Sequence, residues 1–276
     1  ISCPIDQYSV ASATILTDTR EIIGPPNKPK ARHAVKLVLD SLDCPYGVHF
    51  KITSQLIPGK GLASSTADIA AVAWATGLAL DIRLTVKQIA KIALTIEPSD
   101  GILYPGIVLF DHLYGTVQKP LGFPPPMKIL ILDLGGTVDT IAFNQKQDLR
   151  EKNMEKRDIT EKAVQLVIEG IQEKSPFKIG QAATLSALAN QKILPKKGIE
   201  NLVEKVIKNE GYGITVAHSG TVVGLLLNVE DEGVNKWQAL LKTKFSGKIL
   251  FPDTKIVGGG FDILEKHNKG KRVVSK

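Results

Sequence analysis

The amino-acid sequence predicts an α+β protein built from two domains. Segments such as "GVHFKITSQL" (47 to 56) alternate apolar and polar residues with the period of a strand. Segments such as "ARHAVKLVLDSL" (31 to 42) repeat apolar residues with the period of a helix. The two kinds are interleaved through both halves of the chain, with no internal repeat. The chain has 276 residues, 43% hydrophobic and 23% charged, enough for one large core or two modest ones.

The elements follow in order. "ISCPIDQYSVASATIL" is rich in β-branched residues and reads as strands around 1 to 4 and 8 to 16. "GPPNKPK" (24 to 30) is a surface turn, and the helix at 31 to 42 places Ala31, Val35, Val38, Leu39 and Leu42 on one stripe. The strand at 47 to 56 turns Val48, Phe50 and Ile52 inward. It feeds "IPGKGLASSTADIAA" (57 to 71), a small-residue turn before an apolar helix running from Ser65 or Thr66 to about Leu80. A second helix, 85 to 97, starts with Thr85 as its cap. "PSDGILYPG" (98 to 106) is turn-rich, "IVLFDHLYGTVQ" a strand pair, and "PLGFPPPMK" (120 to 128) a rigid connector into the strand "KILILDLG". The charged stretch "NQKQDLREKNMEKRD" (144 to 158) is the best domain boundary, which gives domains of 1–145 and 146–276. Helices are expected at 159 to 173, 180 to 191 and 197 to 209. Two strands around a tight turn follow in "YGITVAHSGTVVGLLLN", then a helix at 231 to 244 and two short strands, "KILF" and "TKIVGG".

Composition excludes several classes. No apolar run approaches the ~20 residues of a membrane helix, so no membrane partner is expected. Cys3 and Cys44 form neither a disulfide framework nor a CxxC spacing, which fits a reduced, cytoplasmic compartment. The net charge of +7 would suit a nucleic acid, an anionic membrane or an anionic small substrate. Only "KHNKGKRVVSK" (266 to 276) clusters its basic residues, and aromatics are 5%, too few for stacking platforms. Solvated lysines are the simpler reading, and no nucleic-acid partner is expected.

The stretch 57 to 71 carries the chemistry. A strand, a glycine-rich turn and a helix start present unpaired amides and the positive end of a helix dipole to a phosphate. Gly59, Gly61 and Ala63 let an anion approach the backbone, and the Ser64 and Ser65 hydroxyls suit a phosphate or a magnesium ion. It is not a Walker A loop, because Lys60 lies between the glycines rather than after the second one. The same residues would serve as an ordinary capped helix start, with Ser64, Ser65 or Thr66 as the cap. On the residues alone both readings stay open.

The stretch P-x-x-G-L-x-S-S-[ST]-A, carried by Pro58, Gly61, Leu62, Ser64, Ser65 and Ala67, resembles the phosphate loop of the GHMP kinases. Ala63 and Thr66 replace more usual residues. "IEPSDGILYPG" and "VAHSGTVVG" resemble two further segments of that family, in the expected order. The resemblance implies a two-domain fold: an N-terminal α/β domain like that of ribosomal protein S5, with a left-handed βαβ unit, and a C-terminal ferredoxin-like α+β domain. The family's first strand motif is expected just ahead of "ISCPID".

The resemblance also implies roles. Pro58, Gly59, Lys60, Gly61, Leu62, Ala63, Ser64, Ser65 and Thr66 would cradle ATP, with Lys60 a solvent-side neighbour of the phosphates. Ser65 and Glu97 would help hold Mg2+, and Asp100 would take or orient the proton of the acceptor hydroxyl. His218, Ser219, Gly220 and Thr221 would close the substrate side, and Asp6 would meet an ammonium group. Without the family, Asp100 is a turn former, Glu97 a solvated helix end and His218 a structural histidine. "SCPIDQYS", "EPSDG" and "VAHSGT" together resemble the branch that phosphorylates L-threonine for the aminopropanol linker of cobalamin. That branch implies ATP and a small amino acid as partners, and a homodimer is a further expectation.

Other readings are weaker. "ILDLGGTVDTIAF" (131 to 143) with "IVGGGFD" (256 to 262) resembles the phosphate hairpin and adenosine glycines of hexokinase and actin-like sugar kinases. That reading leaves 57 to 71 without a role. Within the preferred reading, Asp139, Thr140 and Asn144 are weak substrate-side candidates. Another GHMP acceptor, homoserine or mevalonate, and a basic nucleic-acid-binding domain complete the alternatives.

Overall fold

The computed structural model describes residues 1–136, 148–231, 233–242, 247–267 and 270–275. The chain forms two compact units, one of residues 1–58, 63–121 and 257–276, the other of 59–62 and 122–256. The first unit thus takes its ends from both ends of the chain, and the second borrows four residues of the small-residue turn. The units divide between Leu121 and Gly122, ahead of the charged stretch at 144 to 158. The reason is that the strand at 128 to 133 is an interior member of the second unit's sheet.

In the first unit, β1 (Ser9–Leu16) pairs antiparallel with β3 (Gly47–Ser54) over its full length. β2 (Ile22–Ile23) runs parallel to β3, with α1 (Pro29–Ser41) between them in sequence, which makes a βαβ unit. The expected strand at 1 to 4 is absent. The segment holds only an isolated bridge position at Ile5, since Pro4 has no amide to donate to a ladder. The helix expected from 65 is α2 (Ser64–Ala79). Ala67, Ile69, Ala70, Ala71, Val72, Ala73 and Ala75 are all buried. An all-round apolar helix is a central one, and α2 packs against β1, α1 and α3 (Val86–Ile96). Thr85 caps α3 in a reciprocal box with Gln88, as expected. β4 (Ile107–Phe110) pairs with β5 (Gln118–Gly122), which begins at the last residue of the expected strand pair and runs into the segment expected as a rigid connector.

The second unit is a four-stranded antiparallel sheet in the order β7–β8–β6–β9, with β6 spanning Lys128–Asp133, β7 Gly213–Val216, β8 Val222–Leu227 and β9 Lys248–Lys255. Its helices are α4 (Leu149–Glu155), α5 (Arg157–Gln172), α6 (Pro176–Ala189), α7 (Ile199–Lys208) and α8 (Val234–Lys242). Leu130, Leu132, Leu202, Val206, Ile214, Leu225 and Trp237 form its core. "KILF" and "TKIVGG" are one bulged strand, β9, rather than two, and its register against β6 shifts twice. Three strands escaped the sequence reading, the two-residue β2 and the last two of the chain. β10 (Phe261–His267) and β11 (Gly270–Ser275) form a hairpin in the first unit, and β11 adds to β1. Their basic residues mask the strand alternation. No helix among the described residues is long and apolar enough to cross a membrane.

Candidate active site

The small-residue turn is built as a backbone device. Gly59 and Gly61 take left-handed φ values of 72° and 87°, and Ala63, at 51°, is itself the N-cap of α2. No side chain caps this helix. The serine-cap reading therefore fails: Ser64, Ser65 and Thr66 lie inside the first turn, where unpaired amides point out of the helix end. Ser64 and Thr66 are buried and Ser65 half-buried, while Pro58 and Gly59 are exposed.

Within the second unit, Lys60 and Gly61 lie against the turn between β7 and β8, the "HSGT" segment expected to return beside the loop. The Lys60 carbonyl accepts from the amides of Thr221 and Val222 at 3.1 and 3.2 Å. Gly61 and Gly220 touch so closely that a methyl on Gly220 would sit 2.2 Å from the Lys60 oxygen and 2.4 Å from the Gly61 Cα. That contact explains both glycines.

Lys60 is not a solvent-side residue. Its ammonium pairs with Asp133 at 2.7 Å and donates to the Gly136 carbonyl at 2.8 Å. The Thr221 hydroxyl donates to the same carboxylate at 2.5 Å, and the Gly135 amide at 3.0 Å. Burial pushes the Asp133 carboxyl up, but the bonds from Lys60, Thr221 and Gly135 outweigh it and hold it below the usual carboxylate value. Asp133 and Gly135–Gly136 thus anchor the loop, and Thr221 supports it. In the turn itself, His218 is exposed, Ser219 half-buried and Gly220 buried. Asp139, Thr140 and Asn144 lie outside the described residues.

The first unit gathers the acidic residues. Asp100 accepts from the Ser2 hydroxyl at 3.0 Å, and its amide donates to the Thr66 hydroxyl at 3.3 Å. Thr66 therefore ties the acidic turn to the first turn of α2. Glu97 is buried and pairs through Oε2 with Lys30 at 2.5 Å, while its Oε1 is buried with no hydrogen-bond partner. An orphaned buried carboxylate oxygen suits a cation. Among the described residues no three His, Cys, Asp or Glu side chains converge as a metal cage. Magnesium held chiefly by nucleotide phosphates needs only one or two protein carboxylates, so Glu97 fits that ion. Asp6 is half-buried in the segment ahead of β1.

Sequence reasoning missed Lys30, Asp133 and a buried network in which Asp68 accepts from Ser9 and Lys28, both at 2.6 Å. Lys30 and Lys28 lie in the stretch read as a surface turn. Asp133 was visible only as part of "DLGGT", where Gly135 and Gly136 take left-handed φ values and Asp133 and Gly136 bind a lysine of the chain. Gly135–Gly136 belong to the second unit and Gly259–Gly260 to the first, where Gly259 bridges Gly106.

The first unit thus holds a βαβ unit and an α2 with no side-chain cap, preceded in the chain by left-handed glycines, with an acidic turn tied to that helix. Residues 29–103 match the family model of the GHMP kinases N terminal domain. The chain is 34% identical over 257 residues to an L-threonine kinase of Salmonella typhimurium, covering 91% of this chain and 81% of that protein. It is 32% identical over 252 residues to an L-threonine kinase of Citrobacter freundii, covering 88% and 84%. The crystal structure of L. major mevalonate kinase in complex with R-mevalonate superposes with a TM-score of 0.70 at 17% identity, over 94% of this chain and 89% of that one. At that identity the likeness speaks for the fold. The chain belongs to the GHMP kinase family, on the branch that holds these L-threonine kinases.

Proposed function

We propose that the protein transfers the γ-phosphoryl group of ATP to the side-chain hydroxyl of L-threonine, giving O-phospho-L-threonine for the aminopropanol linker of cobalamin. The observation that carries this reading is the identity of about a third to two L-threonine kinases over more than four fifths of their length. The left-handed turn at Gly59 and Gly61 and the uncapped start of α2 support a phosphate role for the segment 58 to 66. Bound magnesium would neutralise phosphate charge, with Glu97 and Ser65 as its protein ligands. Asp100 accepts the hydroxyl proton; Ser2 on Oδ1 and Thr66 on the backbone hold its carboxylate in place. His218 and Ser219 take the substrate side and Asp6 the threonine ammonium. Thr221, whose hydroxyl is committed to Asp133, acts by supporting the loop.

Phosphoryl transfer depends chiefly on positioning and charge neutralisation, so few reacting side chains are needed. The test is incubation with Mg-ATP and a panel of L-threonine, L-serine, homoserine and mevalonate, with products read by mass spectrometry. Phosphothreonine formed in preference to the others is the expected result. Product from homoserine or mevalonate alone would overturn the threonine assignment and leave the family intact.

A further inference from the structure

Lys196, in the turn between α6 and α7, is 8% exposed. Its ammonium donates to the Gly220 carbonyl at 2.8 Å, and its own amide donates to Gln191 Oε1 at 2.6 Å. Among the described residues no carboxylate pairs with it. The charged and titratable groups on neighbouring elements are otherwise engaged or exposed. Lys60 and Asp133 pair with each other, Lys192 with Glu155, and Lys156 bonds Asn190. His218, Lys197 and Glu200 are exposed. Burial therefore acts on Lys196 without relief and pushes its ammonium down to about 8.

A buried cation without a counter-charge is unfavourable to the fold, so its place calls for another explanation. Gly220, which it holds, is the residue whose backbone lies against Lys60 and Gly61. All of these residues lie in the second unit. We propose that Lys196 is a positioning residue for the phosphoryl donor: its ammonium fixes Gly220, and through it Gly61, and supplies a positive charge, paired with no carboxylate among the described residues, to a loop that receives a polyanion. The proposal rests on the reading of residues 58 to 66 as the phosphate loop.

Two consequences separate this from a structural role. First, because the folded value lies below the ordinary lysine value, stability rises as pH climbs from about 8 towards the ordinary value. Lys196→Met should abolish that rise and leave the melting temperature at pH 7 unchanged or higher. Second, a bound polyanion favours the charged amine, so nucleotide binding above pH 8 should take up a proton.

The experiment is calorimetric titration with magnesium and AMPPNP at pH 7 to 9.5, in buffers of different ionisation heat, for wild type, Lys196→Met and Lys196→Arg. Wild type should take up protons near pH 8.5 and bind about tenfold more weakly at pH 9.5 than at pH 7, the effect of roughly one unit of charge-induced shift. Lys196→Met should bind about tenfold more weakly at pH 7, with no uptake, and Lys196→Arg should restore affinity with a flat pH profile. Wild type without proton uptake overturns the proposal, as does Lys196→Met binding as tightly as wild type. If Lys196→Met does not fold, wild type and Lys196→Arg decide the matter through uptake and its loss. Wild type that binds no AMPPNP at any pH would overturn the nucleotide reading itself, a separate and recognisable failure.

Discussion

Replacing Gly220 by alanine adds one methyl group at the tightest contact of the loop. The new Cβ would lie 2.2 Å from the Lys60 oxygen, 2.4 Å from the Gly61 Cα and 2.5 Å from the Gly61 nitrogen. All three are backbone atoms, so no side chain can swing away. Overpacking of this kind costs about 1–3 kcal/mol, and a backbone clash on three sides points to ~3 kcal/mol. For a protein of this size each kcal/mol moves Tm by about 2–4 °C, so a fall of roughly 6–12 °C is expected if the loop stays in place. If the loop moves instead, the same free energy appears as a rise of about 100-fold in the KM for ATP. Differential scanning fluorimetry and an ATP titration at saturating L-threonine distinguish the two routes. Gly135→Ala is the control: φ there is +90°, but the new methyl would meet nothing within 4 Å. It should cost only the left-handed strain of about 1–2 kcal/mol. A Gly220→Ala protein with Tm and KM for ATP both at wild-type values would refute the packing argument.

Asp100→Asn should lower kcat by about 10²–10⁴ while ATP affinity, read by calorimetry, stays within about threefold; unchanged turnover would remove Asp100 as the base. Glu97→Gln should raise the magnesium concentration for half-maximal activity, yet change Tm little, because Lys30 is partly exposed and can return to water. An unchanged magnesium requirement would make Glu97 a structural partner of Lys30. Asp133, with its carboxyl held low, lends stability above its unfolded value near 4 that disappears as pH falls through its folded value. Asp133→Asn should therefore flatten the drop in Tm between pH 4 and pH 2, and a wild-type-like drop would count against the Lys60–Asp133 anchor.

Much of the fold was legible because the relevant periodicities are local. The strand at 47 to 54, the helices at 29 to 41 and 86 to 96, and the antiparallel pair around "HSGT" need only near neighbours to declare themselves. β11 needs β1, more than 250 residues away, to become a strand, and its sequence, GKRVVS, gives no alternation to read. In the site, the glycines of the loop were legible because backbone conformation restricts which residues can occupy it. The anchors Asp133, Lys30 and Lys196 were not, because an isolated charged residue reads as solvated surface until its partner is known. Even the correct choice of Lys60 as a loop residue came with the wrong environment, since its pairing with Asp133 spans 73 positions of sequence.

The three lysines show how one residue type serves different ends. Lys30 pairs with Glu97 while partly exposed, and so can yield that carboxylate to a cation with little penalty. Lys60 is neutralised by Asp133, and its net effect is mechanical, a strut that fixes where the loop backbone runs. Lys196 is buried and donates to a carbonyl dipole, with no carboxylate beside it among the described residues. Burial destabilises the Lys196 ammonium and no carboxylate among the described residues relieves it, so its protonation should respond to an arriving polyanion. On the proposed reading, lysines that carry the same formal charge would divide into one that releases a ligand, one that holds a shape and one that answers the substrate, and the division would follow from what each ammonium touches.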